Sequence, residues 1–151
     1  MNSGAEKTIL VADDESHILN VVSLKLRNAG YRVLTAADGQ EALEIALAEQ
    51  PDLLITDYHM PHLSGLELCR KLKQDSSIRP IPALMLTARG YHLEPEDTEQ
   101  SGILQMISKP FSPRHLLVAV EDVRFVIGDE NRFFGHGVLI AICDLPLAIC
   151  N

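Results

Sequence analysis

Four consecutive strand-forming residues, Leu53-Leu54-Ile55-Thr56, lie between Pro51 and Pro61 and run straight into Asp57. A run that is apolar or β-branched at every position has no polar face to turn to water. It therefore predicts a strand covered on both sides, as in a parallel sheet. Open α/β sheets expose their ligand crevice at the C-terminal ends of such strands. Met60-Pro61 ends the run, because proline cannot donate to a ladder, and Ser64-Gly65 continues the turn. Asp57 is thus expected at the mouth of the sheet, half shielded and reachable. A lone Asp there would simply cap a loop; the other strand ends argue for more.

Strand and helix signals alternate along the rest of the chain. Thr8-Ile9-Leu10-Val11-Ala12 reads as a first strand ending in Asp13-Asp14-Glu15. A helix follows, with Ile18, Val22 and Leu26 on one face, Ala29 near its end and Gly30 as the stop. Tyr31 to Ala36 is a second strand, closed by Asp38-Gly39. Ala42, Leu43, Ala46 and Leu47 make the stripe of a second helix, which Pro51 ends. After the third strand, a helix from Ser64-Gly65 turns Leu66, Cys69 and Leu72 inward and Arg70, Lys71 and Lys73 outward. Ile81 to Thr87 is a fourth strand, with Pro82 tolerated at its start. Glu94 to Ser101 has no aliphatic anchor and predicts a short, mobile, strongly acidic helix. Ile103 to Ser108 is a fifth strand leading to Lys109-Pro110. The last helix starts at Ser112-Pro113, a cap followed by proline in the first turn, and buries Leu116, Val120, Val123 and Ile127. Five strands alternating with helices imply an α/β fold, a doubly wound parallel sheet with helices on both faces.

A length of 151 residues suits one domain with a single core. Twenty-one acidic against thirteen basic side chains give a formal charge of −8, which argues against non-specific binding to nucleic acid or an anionic membrane. The three cysteines, Cys69, Cys143 and Cys150, lack metal-ligand spacing and read as reduced thiols, hence a cytoplasmic chain. Residues 1–6 are expected to be a flexible N-terminus rather than a signal peptide. Residues 7–127 hold the domain. Residues 128–151 divide into a polar linker and an apolar tail around Phe133-Phe134 and Val138 to Cys143. Asp144 and Pro146 interrupt that tail, so it is too short and broken to span a bilayer. Its aliphatic and aromatic side chains favour burial on this domain or on a second copy.

The strand ends are the informative positions. Strand one ends in Asp13-Asp14, strand three in Asp57, strand four in Thr87 and strand five in Lys109. A parallel sheet brings all of these to one edge. Two carboxylates about 5 Å apart repel by roughly 3 kcal/mol at an effective dielectric near 20, so three cannot stay ionised without compensation. Lys109 supplies one positive charge, and an oxygen-only cluster suits Mg2+. Such a crevice is built for a phosphoryl group, whose oxygens a metal, an ammonium and a hydroxyl can share. Taken singly, Asp13-Asp14 could be a helix N-terminal acidic pair, Thr87 a strand-end residue and Lys109 a solvated charge. His59 and His62 read as loop histidines rather than transition-metal ligands, since carboxylates already define a hard-cation site.

Together, the acidic pair, the Asp57…Met60-Pro61…Gly65 loop, Thr87-Ala88 and Lys109-Pro110-Phe111 resemble the receiver domain of the two-component response-regulator family, over roughly Lys7 to Ile127. The resemblance implies a flavodoxin-like sheet of order 2-1-3-4-5. It implies that Asp57 is the phosphoacceptor, attacking the phosphohistidine of a sensor histidine kinase or phosphotransfer protein. It further implies that Asp14 binds Mg2+ directly, Asp13 mainly through water, and the His59 backbone carbonyl as a further ligand. Lys109 would pair with the phosphate, and Thr87 would hydrogen-bond it and move inward. The Lys109-Pro110 bond would be cis, which costs little before proline. Output would pass to a downstream protein through the face of helix four, strand five and helix five, or to a twin receiver in a homodimer. Glu94, Glu96, Asp97 and Glu99 would make that face acidic and suited to a basic partner.

The chain departs from the family pattern at Met106, where an aromatic switch residue is usual; a thioether fills the gap without a two-position ring. His59 and Arg89 stand where the family tunes water access to the phosphoryl group. Two other readings compete. A phosphatase of the haloacid dehalogenase type also uses an Asp nucleophile and Mg2+, but wants a second acid where this chain has His59. A receiver-like binding domain that is never phosphorylated is disfavoured by the complete acid set. With only a short segment after helix five, a stand-alone regulator or phosphorelay intermediate is expected.

Overall fold

In the computed structural model, which describes residues 6–88 and 93–123, the five apolar runs form one parallel sheet. Its strands are β1 (Thr8–Ala12), β2 (Arg32–Ala36), β3 (Leu53–Asp57), β4 (Ala83–Thr87) and β5 (Ile103–Ser108), in the order β2-β1-β3-β4-β5. The helices between and after them are α1 (Ser16–Asn28), α2 (Gly39–Glu49), α3 (Gly65–Gln74), α4 (Pro95–Ser101) and α5 (Pro113–Asp122). The expected class and strand order are both found. Ile127, Arg89 and the tail from residue 128 lie outside the described residues.

Alternation along each strand sorts the interior into two cores. Ile9, Val11, Ile55, Leu84 and Leu86 pack with Val22 and Leu26 of α1 and Leu116, Ala119 and Val120 of α5. Leu10, Ala12, Leu54 and Met85 face the other way, against Ala42 and Ala46 of α2 and Leu66, Leu68, Cys69 and Leu72 of α3. Every residue of β3 is buried, as a strand with no polar face requires.

Several expectations are corrected. Leu47 is exposed rather than part of the α2 stripe. Ala42 and Ala46 are small enough to bring α2 close to the sheet, and Leu47 lies about 140° round the helix from Ala42. Leu68, not expected inward, is fully buried. β4 begins at Ala83 rather than Ile81, although the carbonyl of Pro82 already accepts from the Leu54 N–H at 2.9 Å. β2 begins one residue later than expected, at Arg32. Arg70 and Lys73 do lie outward from the core, and there the Arg70 guanidinium pairs with Asp97 and the Lys73 ammonium bonds the Glu99 carbonyl. These contacts tie the seven-residue α4 to α3 in place of the missing aliphatic anchor. Asp97 is thereby turned away from the acidic face, leaving Glu94, Glu96 and Glu99 exposed.

The start of α3 positions the loop after β3. Ser64 and Glu67 form a reciprocal capping box, with N–H to side-chain distances of 3.0 and 3.2 Å. The Gly65 N–H donates to the Tyr58 carbonyl at 2.8 Å, and a Cβ at Gly65 would stand 2.3 Å from the Asp57 carbonyl oxygen. Backbone cannot yield as a flexible side chain can. Gly65→Ala is therefore expected to lower stability in urea denaturation by about 1–3 kcal/mol, the usual cost of overpacking. No loss would mean that the loop shifts freely.

Candidate active site

β1 and β3 are adjacent, yet the chain leaves β1 towards β2 on one side and builds β3, β4 and β5 on the other. Such a switch point opens a crevice at the carboxyl ends of the strands. Ala12 pairs with Thr56, so Asp13 and Asp57 emerge side by side. Asp57 is opposite Leu86 and Thr87 opposite Ser108, which brings Thr87 and Lys109 to the same edge. The Lys109 N–H donates to the Thr87 carbonyl at 2.7 Å, and the Lys109-Pro110 peptide is cis as expected.

Asp13 is fully buried, Asp57 is 6% exposed and Asp14 is open to solvent. Oxygens of these three carboxylates lie within 4.8 Å of one another. The Lys109 ammonium stands 3.2 Å from Asp13 Oδ2 and 3.3 Å from Asp57 Oδ1. It also lies 3.0 Å from Glu15 Oε1, a partner that the sequence reading missed. In the sequence Glu15 stands with the acids that end β1, and nothing in its spacing from Lys109 announces the contact.

Burial pushes the Asp57 carboxyl up to about 6, the neighbouring charge of Asp13 adds to the rise, and Lys109 opposes it. Asp13 is raised by burial as well, against the pull of the Glu15 N–H and of Lys109. For Lys109, burial disfavours the ammonium, but Glu15, Asp13 and Asp57 outweigh it and hold the group above its usual range. The site is short of positive charge. Thr87 is buried, and its Oγ1 has no hydrogen-bond partner among the described residues. A buried hydroxyl left unpaired is costly, so this one stands ready for an acceptor that the described residues do not supply.

His59 is exposed, its ring edge-on to Tyr58 with centroids 4.8 Å apart. Met106 is partly buried against the core on the α2 and α3 side of the sheet. Cys69 is buried, and desolvation pushes its thiol up to about 12, so it is an inert core residue. Among the described residues no helix is long and apolar enough to cross a membrane.

Residues 9–121 match the family described as the response regulator receiver domain. The alkaline phosphatase synthesis transcriptional regulatory protein PhoP of Bacillus subtilis is 40% identical over 117 residues, covering 78% of this chain and 48% of that protein. The phosphate regulon transcriptional regulatory protein PhoB of Pseudomonas aeruginosa is 39% identical, with 78% and 51% covered. The chain thus spans about half the length of these curated relatives. Among solved structures, the chemotaxis response regulator CheY4 of Vibrio cholerae superposes with a TM-score of 0.72 at 34% identity, covering 79% of this chain and 99% of that one. The receiver domain of a Pseudomonas aeruginosa sensor histidine kinase, solved with magnesium coordinated in its active site cleft, gives 0.69 at 30% identity, with 83% and 100% covered. Sheet order, the acidic crevice and the sequence match agree: the chain belongs to the response regulator receiver domain family.

Proposed function

We propose that Asp57 is the phosphoacceptor of a phosphorylation-based signalling switch, and that the donor is a phosphohistidine on a sensor histidine kinase or phosphotransfer protein. The observation that carries this reading is the buried Asp57 carboxylate with Lys109 at 3.3 Å and the unpartnered Thr87 hydroxyl at the same sheet edge. In the transfer, an Asp57 Oδ forms a bond to phosphorus as the P–N bond to the donor imidazole breaks, and the electron pair leaves with the ring. Lys109 balances charge on the phosphoryl oxygens. The Thr87 Oγ1 donates to one of them and gains a partner that the described residues do not offer. Asp13, buried beside the acceptor, keeps the region anionic and holds Lys109 in place.

The donor set also fits a hard divalent cation: three oxygen ligands, an excess of negative charge and no sulfur or imidazole between them. Asp14 and Asp57 would hold Mg2+ directly, Asp13 through water, with the His59 carbonyl as a further ligand. When bound, Mg2+ offsets the carboxylate charge and polarises the phosphoryl oxygens. Pairing of Thr87 with the phosphoryl group would draw the following loop inward, with Met106 filling the space of the usual ring. The exposed acids of α4 favour a basic surface on the downstream protein, met through the α4, β5 and α5 face.

Incubation with acetyl phosphate and Mg2+, followed by intact-mass measurement, is expected to show one phosphoryl adduct on the wild type. None is expected on Asp57→Asn or after removal of Mg2+. Equal labelling of the wild type and Asp57→Asn would end the assignment.

A further inference from the structure

Lys109 faces three carboxylates, and the nearest belongs to a residue outside the three-acid cluster. Glu15 Oε1 is 3.0 Å from the ammonium, against 3.2 Å for Asp13 and 3.3 Å for Asp57. Glu15 occupies the N-cap position of α1, yet its side chain makes no cap hydrogen bond. Its backbone is anchored at both polar groups. The N–H donates to Asp13 Oδ1 at 2.9 Å, and the carbonyl accepts from the Leu19 N–H at 3.1 Å. From that fixed base the carboxylate reaches across to Lys109, just past the end of β5, instead of serving its own helix. The Glu15 side chain is 59% exposed, so its charge also faces the solvent from which a small donor arrives.

We propose that Glu15 is a positioning residue for Lys109: it holds the ammonium at the rim of the crevice and sets by its charge how readily an anionic phosphoryl donor captures it. The proposal rests on Asp57 being the phosphoacceptor. Any donor approaching Asp57 must take Lys109 as its counter-charge, and Glu15 competes for the same ammonium while repelling the donor. An exposed pair of this kind adds little to folding stability, so its effect lies in the encounter. A dianionic donor feels the competition more than a monoanionic one, whatever else the residue does for the structure.

Two donors separate charge from structure. Acetyl phosphate is a dianion at neutral pH and leaves as acetate when its P–O bond breaks and the Asp57 O–P bond forms. Phosphoramidate carries less negative charge and leaves as ammonia, its nitrogen already protonated, when its P–N bond breaks. Second-order labelling rates at saturating Mg2+ are to be compared for the wild type, Glu15→Gln and Glu44→Gln. The last removes the same charge from α2, where Glu44 bonds Gln40. Glu15→Gln is expected to raise the acetyl phosphate rate roughly three- to tenfold and the phosphoramidate rate by a smaller factor, with the difference closing at high salt. Glu44→Gln is expected to change neither. An equal change for both donors, no change, or a slower acetyl phosphate reaction would overturn the role of Glu15 while leaving Asp57 as acceptor. No labelling of the wild type by either donor would overturn both.

Discussion

Asp57→Asn is expected to stabilise the metal-free protein at neutral pH by about 1–3 kcal/mol, although it removes a group that touches the central lysine. Burial first, and then the charge of Asp13 beside it, push the Asp57 carboxyl of the folded chain from an ordinary 3.8 up to about 6. That gap corresponds to about 3 kcal/mol of ionisation penalty, and the lost contact with Lys109 takes back part of the gain. Between the two values the folded state binds more proton than the unfolded one, so this group makes stability fall as pH rises. Below about pH 4 both states are protonated and the substitution should gain almost nothing. Above about pH 6 the penalty is complete and the gain should level off. Urea denaturation with EDTA across this range measures the difference directly. Mg2+ should then raise the wild type more than the variant, because only the wild type offers the third carboxylate. A variant that is less stable at every pH would show that the Asp57–Lys109 contact outweighs the repulsion.

What the sequence made legible follows from how local each signal is. A run without polar positions names a covered strand, and the residue just past its end falls at the sheet edge; Asp13, Asp57, Thr87 and Lys109 were found this way. That these edges lie side by side depends on strand order, which periodicity does not encode and which came through the family resemblance. Glu15 escaped because its meaning is a contact with Lys109, just past the end of β5 and 94 residues along the chain. Seen locally it is one more acid before a helix. Asp97 escaped for the same reason: on α4 it looks like part of an acidic face, and only packing against α3 turns it to Arg70. Leu47 failed in the opposite direction. Its hydrophobicity suggested burial, but Ala42 and Ala46 form the face that meets the sheet.

Lys109→Met should have a larger effect in the opposite direction. The side chain is only 20% exposed and stands between Asp13, which is fully buried, and Asp57. Methionine keeps much of the apolar stem and removes the charge, so packing is largely retained. What remains is a pair of buried carboxylates with no cation among the described side chains facing them. Removing one partner of a buried ion pair commonly costs about 3–5 kcal/mol, because the other charge is left uncompensated. The acids can escape part of that cost by taking up protons, and both are already raised with the lysine present. Without it their folded values should rise further. The deficit of the variant should therefore be greatest above neutrality and shrink as pH falls through the Asp57 range. The lysine itself does not contribute to this slope, since its raised folded value keeps it fully charged at acid and neutral pH. Combining Lys109→Met with Asp57→Asn should recover more than half of the deficit, because one of the two stranded charges is then gone. Denaturation of the single and double variants at pH 5 and pH 7.5 without metal decides the matter. A deficit that is the same at both pH values and unrelieved in the double variant would mean that Lys109 supports the fold through its stem and not through its charge.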